Sequence, residues 1–448
     1  MSEHATFSYR HPDELRADAE AKGLHLPWSD TLSILQGTVR VGNKTAPTRF
    51  AVLPVEGRDA NRDGTPSDLT FRRYRRYGAG GSGLIHFEAI SYTQQNRASD
   101  RQLLINADTA PGLKKLLEET KQAAQESMGH TPLCYAQIQD SGRYAHATGA
   151  VPRLVQPVEE FDARARVPAG TPMLTDEELE RTCEEFVKAS VLAYELGFDG
   201  VDVKACHRYL ASDLLGARDR KGRYGGSYEN RVRLVLDMAD GVRKAIPDEN
   251  FQIISRLNLF DDIAWPYGWG VAERQGAPVP DLAEPKRLLR QLHDRGLVYI
   301  ATSCGTPYGR AWINRPYDRS MKGAAPAPEH PLEGVCRGIA VTAEGQKSQP
   351  DLPMAGFGYS WLRQYIPQVA AGIIQEGGAT FVGLGRELLA YPDMPRDILR
   401  EGAVDNRKVC ITCSYCSEVM ANGGIAGCYI RDAEGYGELF KTYRAGQK

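Results

Sequence analysis

The sequence lacks the features that mark a membrane protein, a secreted protein or a nucleic-acid-binding protein. No apolar run reaches the roughly 18 residues that a membrane-spanning helix needs, and residues 1–23 carry charges where a signal peptide has an apolar stretch. The formal net charge is only −2, so no excess of positive charge is available for a polyanion or an anionic membrane. We therefore expect a cytoplasmic protein that binds neither nucleic acid nor a membrane.

A glycine-rich G-x-G-x-x-G turn is also missing. Such a turn usually follows the first strand of a doubly wound nucleotide-binding sheet, so its absence counts against that fold. Apolar residues are not scarce: 42% of the chain is hydrophobic and 25% is charged, as in ordinary globular domains. The chain can therefore bury a large core.

Short apolar runs alternate with longer helical stretches along most of the chain. The predicted strands are 49–55, 83–90, 132–138, 199–204, 251–257, 297–303, 351–356 and 379–384. The predicted helices are 67–77, 111–128, 175–196, 228–246, 284–295, 361–376 and 386–400, with a weaker candidate at 333–349. Eight strands that are each followed by a helix predict an α/β fold, the (β/α)8 or TIM barrel, and a doubly wound sheet is the runner-up.

The predicted loops indicate where a site would lie. Long loops follow the third, fifth and sixth strands, at 139–174, 258–283 and 304–332, and all three leave carboxyl ends of strands. Barrels build their sites at that face and use about 250 residues or more as one domain. We expect an N-terminal extension at 1–36, one barrel at 37–402 and a separate C-terminal segment at 403–448.

The C-terminal segment carries a cysteine motif. Of the nine cysteines, four follow the pattern C-x2-C-x2-C-x11-C, at Cys410, Cys413, Cys416 and Cys428. Closely spaced thiolates hold a metal centre from a tight turn, and a distant fourth closes the site. Zinc also binds four cysteines, so the spacing predicts a metal-binding segment and leaves open iron–sulfur or zinc.

A second group of polar residues surrounds the fourth predicted strand. Asp202 and Lys204 share one face of that strand because side chains alternate, and His207 and Tyr209 follow at its carboxyl end. Lysine, histidine and tyrosine at this place can supply hydrogen-bond donors and a general acid. The alternative is a structural Asp202–Lys204 ion pair inside the barrel, with His207 and Tyr209 on the surface.

Glycines end the last two predicted strands. The seventh ends in Gly356 and Gly358, and the eighth is followed by Gly385 and Arg386. Barrels commonly seat a phosphate there, beside helix N-termini, and arginine adds a forked cationic donor. The alternative is that these glycines only serve turns.

Taken together, these motifs resemble the old yellow enzyme family. The resemblance covers residues 37–431. Within the family the chain is most similar to the iron–sulfur branch, in particular to the barrel part of 2,4-dienoyl-CoA reductase, 2-enoate reductase and trimethylamine dehydrogenase. Its specific pieces are RFAVLP, DGTPSDLTFRRYRRYGAGGSGLI, QIQDSGR, YGGSYENR, GLGRELLAYPD and the cysteine motif. The resemblance implies an FMN-binding barrel and favours a [4Fe–4S] cluster over zinc.

The resemblance also implies residue roles. Catalysis would fall to Tyr209 as proton donor, with His207 and Lys204 anchoring the substrate. The cofactor-binding residues would be Pro54, Val55, Ala89, Gln137, Arg256, Gly356, Gly358, Gly385 and Arg386, and the metal ligands Cys410, Cys413, Cys416 and Cys428. This sequence departs from the family at Lys204, where histidine is frequent, and at Asp140 and Glu56.

The activity that follows is reduction of an activated C=C bond in a small enone or enoyl-type molecule. Electrons would come from NAD(P)H directly or from a separate electron-transfer protein, because we expect no internal domain for electron entry after Cys428. A homo-oligomer is also possible for such a chain. One alternative is oxidation of an amine or a saturated carbonyl compound, with Trp265, Tyr267 and Trp269 either caging a cation or packing their loop. A second alternative is a non-catalytic, zinc-stapled barrel.

Overall fold

The computed structural model describes residues 4–446. Within that range the β-strands are β1 Val39–Val41, β2 Lys44–Ala46, β3 Phe50–Val52, β4 Leu84–Ser91, β5 Leu133–Gln139, β6 Gly200–Val203, β7 Gln252–Phe260, β8 Leu297–Cys304, β9 Met354–Ala355 and β10 Val382–Leu384. The α-helices are α1 Pro12–Ala21, α2 Asp68–Ala79, α3 Ala110–Met128, α4 Glu159–Arg164, α5 Asp176–Glu195, α6 Leu210–Leu215, α7 Tyr228–Arg231, α8 Arg233–Ala245, α9 Ala283–His293, α10 Ala311–Asn314, α11 Pro331–Ser348, α12 Ile366–Gln375, α13 Glu387–Ala390, α14 Met394–Glu401, α15 Tyr415–Ala421 and α16 Ala433–Ala445.

Strands β3 to β10 form a parallel barrel. The order is β10-β3-β4-β5-β6-β7-β8-β9, and a bridge between Ala355 and Phe381 joins the two outer members of that order. The TIM-barrel prediction is therefore confirmed and the doubly wound runner-up is wrong. The antiparallel hairpin of β1 and β2 lies at the amino ends of the strands, where Gln252 Nε2 donates to the Val41 carbonyl at 2.6 Å.

The predicted helices form, and several are interrupted. The predicted capping box of α5 is present, since the Glu178 amide donates to Thr175 Oγ1 at 3.2 Å and the Thr175 amide to Glu178 Oε2 at 2.7 Å. The helix predicted over 386–400 is broken between α13 and α14, because Pro392 disfavours a helical conformation at the residue before it. The weak candidate at 333–349 is the long helix α11.

The C-terminal segment packs against the barrel near its first βα loop. Asp432 accepts hydrogen bonds from Arg72 on α2 at 2.7 and 2.8 Å and pairs with Arg76. The Ala426 amide donates to the Gly57 carbonyl at 2.7 Å. The segment is thereby fixed beside the carboxyl ends of the strands. Across residues 4–446, no helix has the length and apolar character needed to cross a bilayer.

Candidate active site

A cavity of about 220 Å³ opens at the carboxyl face of the barrel. It runs from the loops after β3, β6 and β8 to the C-terminal segment. Of the residues predicted from the sequence, those on its wall are Pro54, Val55, Lys204, His207, Tyr209, Arg256, Gly358, Gly385, Arg386, Cys410, Cys413, Cys416 and Cys428. One continuous space therefore brings together the predicted catalytic, flavin-binding and metal-binding groups.

Three predicted flavin residues lie outside this wall. Gln137 is fully buried; its Nε2 donates to Asp202 at 2.7 Å, while its Oε1 has no hydrogen-bond partner. The Ala89 carbonyl accepts from Gln102 Nε2 at 2.9 Å. A Cβ at Gly356 would lie 1.8 Å from the Tyr359 hydroxyl, so packing against that ring accounts for this glycine. The flavin contacts of Ala89 and Gly356 stay predictions.

Lys204 reaches into the cavity from the end of β6. Its ammonium donates to Gln139 Oε1, lies 3.7 Å from Glu56 Oε1 and sits 3.8 Å from the centre of the Tyr209 ring. Burial lowers the pKa of Lys204, and the neighbouring Glu56 carboxylate opposes that shift. The expected alternative, an Asp202–Lys204 ion pair, does not form.

Asp202 instead fixes the floor of the site. Its carboxylate accepts from His86 Nδ1 at 2.9 Å, from Gln137 at 2.7 Å and from the Arg256 amide at 2.7 Å. Three neighbouring strands are thus tied to one buried carboxylate. Arg256 is consequently held against the wall, where its guanidinium approaches the Pro54 carbonyl at 3.4 Å and its Nε has no partner.

His207 is a neutral donor. Burial lowers its pKa well below the ordinary value, and the nearby cations Arg256, Lys204 and Arg386 add to this effect. The ring Nε2 lies 3.2 Å from Asn314 Nδ2, which can only donate, so Nε2 accepts and the ring proton resides on Nδ1. Ser303 Oγ lies 3.0 Å from the same Nε2.

A strained turn presents His207 and Tyr209. His207 has φ +64° and Arg208 has φ +61°, values that residues other than glycine adopt rarely. The fully buried Arg208 side chain pairs with Asp213 at 2.5 Å and with Asp261 at 3.6 Å. This buried ion network compensates for the strain and fixes the direction of the two flanking side chains.

Tyr209 is 5% exposed and forms two hydrogen bonds. Its hydroxyl donates to Glu56 Oε1 at 3.2 Å and lies 2.7 Å from the hydroxyl of Tyr308, whose ring stacks on Tyr144 with centroids 3.7 Å apart. Burial and then the Glu56 charge raise the pKa of Tyr209 well above 10. The phenol is therefore neutral at physiological pH. Sequence reasoning missed Tyr308 and Asn314, which lie in the long loop after β8 and match no motif.

The other end of the cavity is rich in glycine and arginine. Gly358 has φ +85°, and a Cβ at Gly385 would come within 3.3 Å of Val55, so both positions keep the backbone open to a ligand. Arg386 lies beside them; its guanidinium donates to Ser417 Oγ at 3.1 Å. Arg315, also missed from the sequence, is buried, donates to Ser414 Oγ at 3.0 Å and adds a second cation.

All four clustered cysteines line the cavity. Burial raises the pKa values of Cys410, Cys413 and Cys428, and the nearby charge of Cys416 adds to each increase. Thr412 has φ +48° and Ser414 φ +60°, so the backbone turns tightly between Cys410 and Cys416. Backbone amides of Thr412 and Arg431 approach the sulfurs of Cys410 and Cys428 at 3.4 and 3.3 Å. Within the described range, no group of three or more candidate ligands has the geometry of a single-ion site.

The aromatic loop after β7 packs against protein groups. The guanidinium of Arg218 covers the ring of Trp265 at 4.2 Å, and fully buried Trp269 donates to the Asn258 carbonyl at 2.9 Å. Neither these rings nor Tyr267 lie on the cavity wall. The loop therefore supports the packing interpretation and gives no support to a cage for a cationic amine.

Comparisons with known proteins agree with this architecture. The chain is 27% identical over 380 residues to NADH oxidase of Thermoanaerobacter brockii, a match that covers 84% of this chain and 52% of that protein. It thus spans about half the length of this curated relative. Among solved structures, 2-naphthoyl-CoA reductase superposes with a TM-score of 0.71 at 20% identity, over 90% of this chain and 58% of that one. Histamine dehydrogenase from Rhizobium sp. 4-9 superposes with a TM-score of 0.68 at 19% identity, over 90% and 53%.

A family description matches the amino-terminal and central parts of the barrel. The matched residues are 38–279, more than half of the chain, and they include the loops that carry Glu56, Lys204, His207 and Tyr209. The resemblance identified from the motifs is thereby confirmed at the level of the family. The chain belongs to the NADH:flavin oxidoreductase / NADH oxidase family.

Proposed function

We propose that this protein reduces activated carbon–carbon double bonds in enones or enoyl-type molecules, with FMN and a [4Fe–4S] cluster as its cofactors. One observation carries the proposal: Lys204, His207 and Tyr209 share a cavity with Gly385 and Arg386. Hydrogen-bond donors for a carbonyl, a neutral acid and a site suited to phosphate thus lie in one space. The family assignment supports flavin chemistry there.

The residues around the cavity fit FMN. Gln137 Oε1 and Arg256 Nε are buried polar atoms without partners, and such atoms are normally hydrogen-bonded. They suit the polar edge of a flavin ring, while Gly358, Gly385 and Arg386 would hold its phosphate. When bound, FMN supplies hydride transfer to one carbon of the double bond.

The C-terminal donors fit an iron–sulfur cluster. Four thiols with amide hydrogen bonds to two of them are typical of such a site, and amide donors to sulfur tune a cluster. Buried Arg315 and half-buried Arg386 would offset the negative charge that four thiolates would bring together. When bound, the cluster supplies one-electron transfer from a partner protein.

The chain's own residues perform the remaining chemistry. Lys204 and His207 donate hydrogen bonds to the substrate carbonyl, which draws electron density from the double bond. Tyr209 donates a proton to the second carbon, because a neutral phenol is a competent acid toward an enolate-like centre. Tyr308 lines this space, and its ring stacks on buried Tyr144.

Cofactor analysis and half-reaction kinetics test the proposal. Anaerobically purified protein should contain about one FMN and four irons per chain, given one phosphate site and four cysteines. Its reduced flavin should be reoxidised by enones or enoyl thioesters in stopped-flow experiments and not by saturated analogues. Zinc without iron would contradict the cluster, and released FAD would contradict the phosphate site.

A further inference from the structure

One carboxylate in the cavity lies between two of the catalytic groups. Glu56 Oε1 accepts from the Tyr209 hydroxyl at 3.2 Å, and the same oxygen lies 3.7 Å from the Lys204 ammonium. The side chains of Glu56 and Lys204 are 10% and 3% exposed. A buried carboxylate that faces both an ammonium and a phenol through one oxygen can pass a proton between them.

Tyr209 needs such a source of protons. If it gave up its proton alone, a buried tyrosinate would remain 3.2 Å from a carboxylate, and burial with that charge already raises the pKa of Tyr209 well above 10. With the residue only 5% exposed, bulk water has poor access to the phenol. A stepwise transfer is therefore unfavourable, and a coupled transfer avoids placing two anions side by side.

We propose that Glu56 relays a proton from Lys204 to Tyr209 each time Tyr209 protonates substrate. The inference rests on the proposed function, since that reaction consumes the proton. The Tyr209 O–H bond breaks as the substrate C–H bond forms; Tyr209 takes a proton from Glu56, and Glu56 takes one from the Lys204 ammonium. Lys204 has then lost one proton, and the substrate has gained one. Solvent at the cavity mouth returns a proton to Lys204. Glu56 acts through Tyr209 and is a positioning residue.

The relay predicts a pH signature. Lys204 must be protonated, so reoxidation of the flavin by substrate should slow as pH rises through the pKa of Lys204, which burial lowers. Several groups face the relay and influence this pKa. They are Asp202, Cys206 and Tyr209 beside Lys204 on the chain, Glu56 and Arg58 after β3, Arg256 on β7 and Tyr308 after β8.

Glu56→Gln and Glu56→Asp test the relay in the holoenzyme. Glutamine keeps a hydrogen bond to Tyr209 but cannot pass a proton, so Glu56→Gln should slow reoxidation by 2-cyclohexen-1-one by roughly 10²-fold and abolish the pH-dependent limb. Aspartate keeps the acid on a shorter arm, so Glu56→Asp should retain the limb at a reduced rate. Reoxidation by Glu56→Gln at the wild-type rate and with the wild-type pH profile would overturn the inference, as would loss of the limb in Glu56→Asp.

Two further measurements test the contacts on which the relay depends. Tyr308→Phe removes the other hydrogen bond to Tyr209 and should keep the limb; a limb lost there and kept in Glu56→Gln would overturn the relay. Carbon-13 NMR of the Tyr209 Cζ, assigned by its absence in Tyr209→Phe, should shift in Glu56→Gln. If no enone or enoyl compound reoxidises the wild-type flavin, the proposed function fails. The carbon-13 measurement still tests Glu56 in that case, and an unchanged Cζ resonance would overturn its role.

Discussion

Burial sets the ionisation of the proposed catalytic side chains. It lowers the pKa of Lys204 and of His207 and raises the pKa of Tyr209, so each shift favours the neutral form. His207 and Tyr209 are thus neutral donors near pH 7, whereas the Glu56 carboxylate opposes the shift of Lys204. The cavity therefore combines neutral hydrogen-bond donors with the fixed charges of Glu56, Arg256 and Arg386 on the same wall.

Tyr209→Phe should separate the two half-reactions. The substitution removes the acid and keeps the ring that packs against Tyr144 and Lys204. We expect reduction of the flavin to be preserved and its reoxidation by an enone to slow by roughly 10²-fold or more. Stopped-flow absorbance measures both steps. Equal slowing of both would indicate a disturbed flavin site, and unchanged reoxidation would assign the proton to another donor.

Arg386→Gln should weaken flavin binding. The residue follows β10 at the proposed phosphate site, and a charge-assisted hydrogen bond contributes about 1.5–3 kcal/mol. We expect the Kd for FMN, measured by fluorescence quenching, to rise by roughly 10- to 100-fold. Arg287→Gln, on the outer helix α9 with 51% of its side chain exposed, is the control and should bind FMN normally. Equal affinities in both variants would remove Arg386 from the site.

At the level of elements, the C-terminal segment packs against the barrel, with Val409 in the core and Cys416 and Cys428 against it. It carries all four clustered cysteines, with Cys416 on α15, while the predicted flavin residues lie on β4, β5 and β7 and in the loops after β3, β9 and β10. Its contacts with the barrel include ion pairs from Asp432 to α2, a backbone bond to the loop after β3, and hydrogen bonds from Arg315 to Ser414 and from Arg386 to Ser417. The predicted cluster ligands and the predicted flavin residues nevertheless share no residue. Cluster binding and flavin binding are therefore expected to be separable.

Cys416→Ala should remove iron and leave flavin. One thiol fewer opens the proposed cluster site, so we expect iron content to fall to a small fraction of the wild-type value, together with turnover driven by a one-electron donor. Flavin content should be retained, as judged by absorbance after anaerobic purification. Cys183→Ala, a half-buried cysteine on α5 far along the chain from the motif, is the control and should keep its iron. Iron retained in Cys416→Ala would exclude this cysteine as a ligand.

The whole barrel could be predicted because its evidence is local. Each strand is a short apolar run and most helices are amphipathic, so their alternation is visible in the sequence. The closure of the sheet then brings the ends of all strands to one face, which explains why Lys204, Tyr209, Gly385 and Arg386 meet as expected. The resemblance to a family then predicted which of these strand ends carry chemistry.

The missed parts of the site depend on long-range contacts. Tyr308 and Asn314 lie about 100 residues beyond the side chains they contact. They belong to the connection after β8, Tyr308 in the loop and Asn314 at the end of the short helix α10, and no hydrophobic periodicity of the sequence marks that connection. The two positive φ values at His207 and Arg208 are imposed by ion pairs to Asp213 and Asp261, which no local pattern indicates. The Asp202–Lys204 alternative was wrong because His86, Gln137 and the Arg256 amide occupy the carboxylate.

The barrel closes between β9 and β10 through a single bridge, Ala355 to Phe381, the smallest strand pairing in the described barrel. Strand β9 is two residues long, and the amides of Thr380 and Phe381 both donate to the Met354 carbonyl at 2.9 Å. The proposed phosphate residues Gly358 and Gly385 follow β9 and β10, one on each side of this junction. A bound phosphate that contacts both would therefore stabilise the junction. In hydrogen-exchange mass spectrometry, removal of FMN should deprotect residues 354–358 and 380–386 far more than β4 and β5. Uniform deprotection would show instead that the barrel opens as one cooperative unit. Local deprotection at this junction would mean that the cofactor stabilises the closed barrel as well as taking part in the reaction.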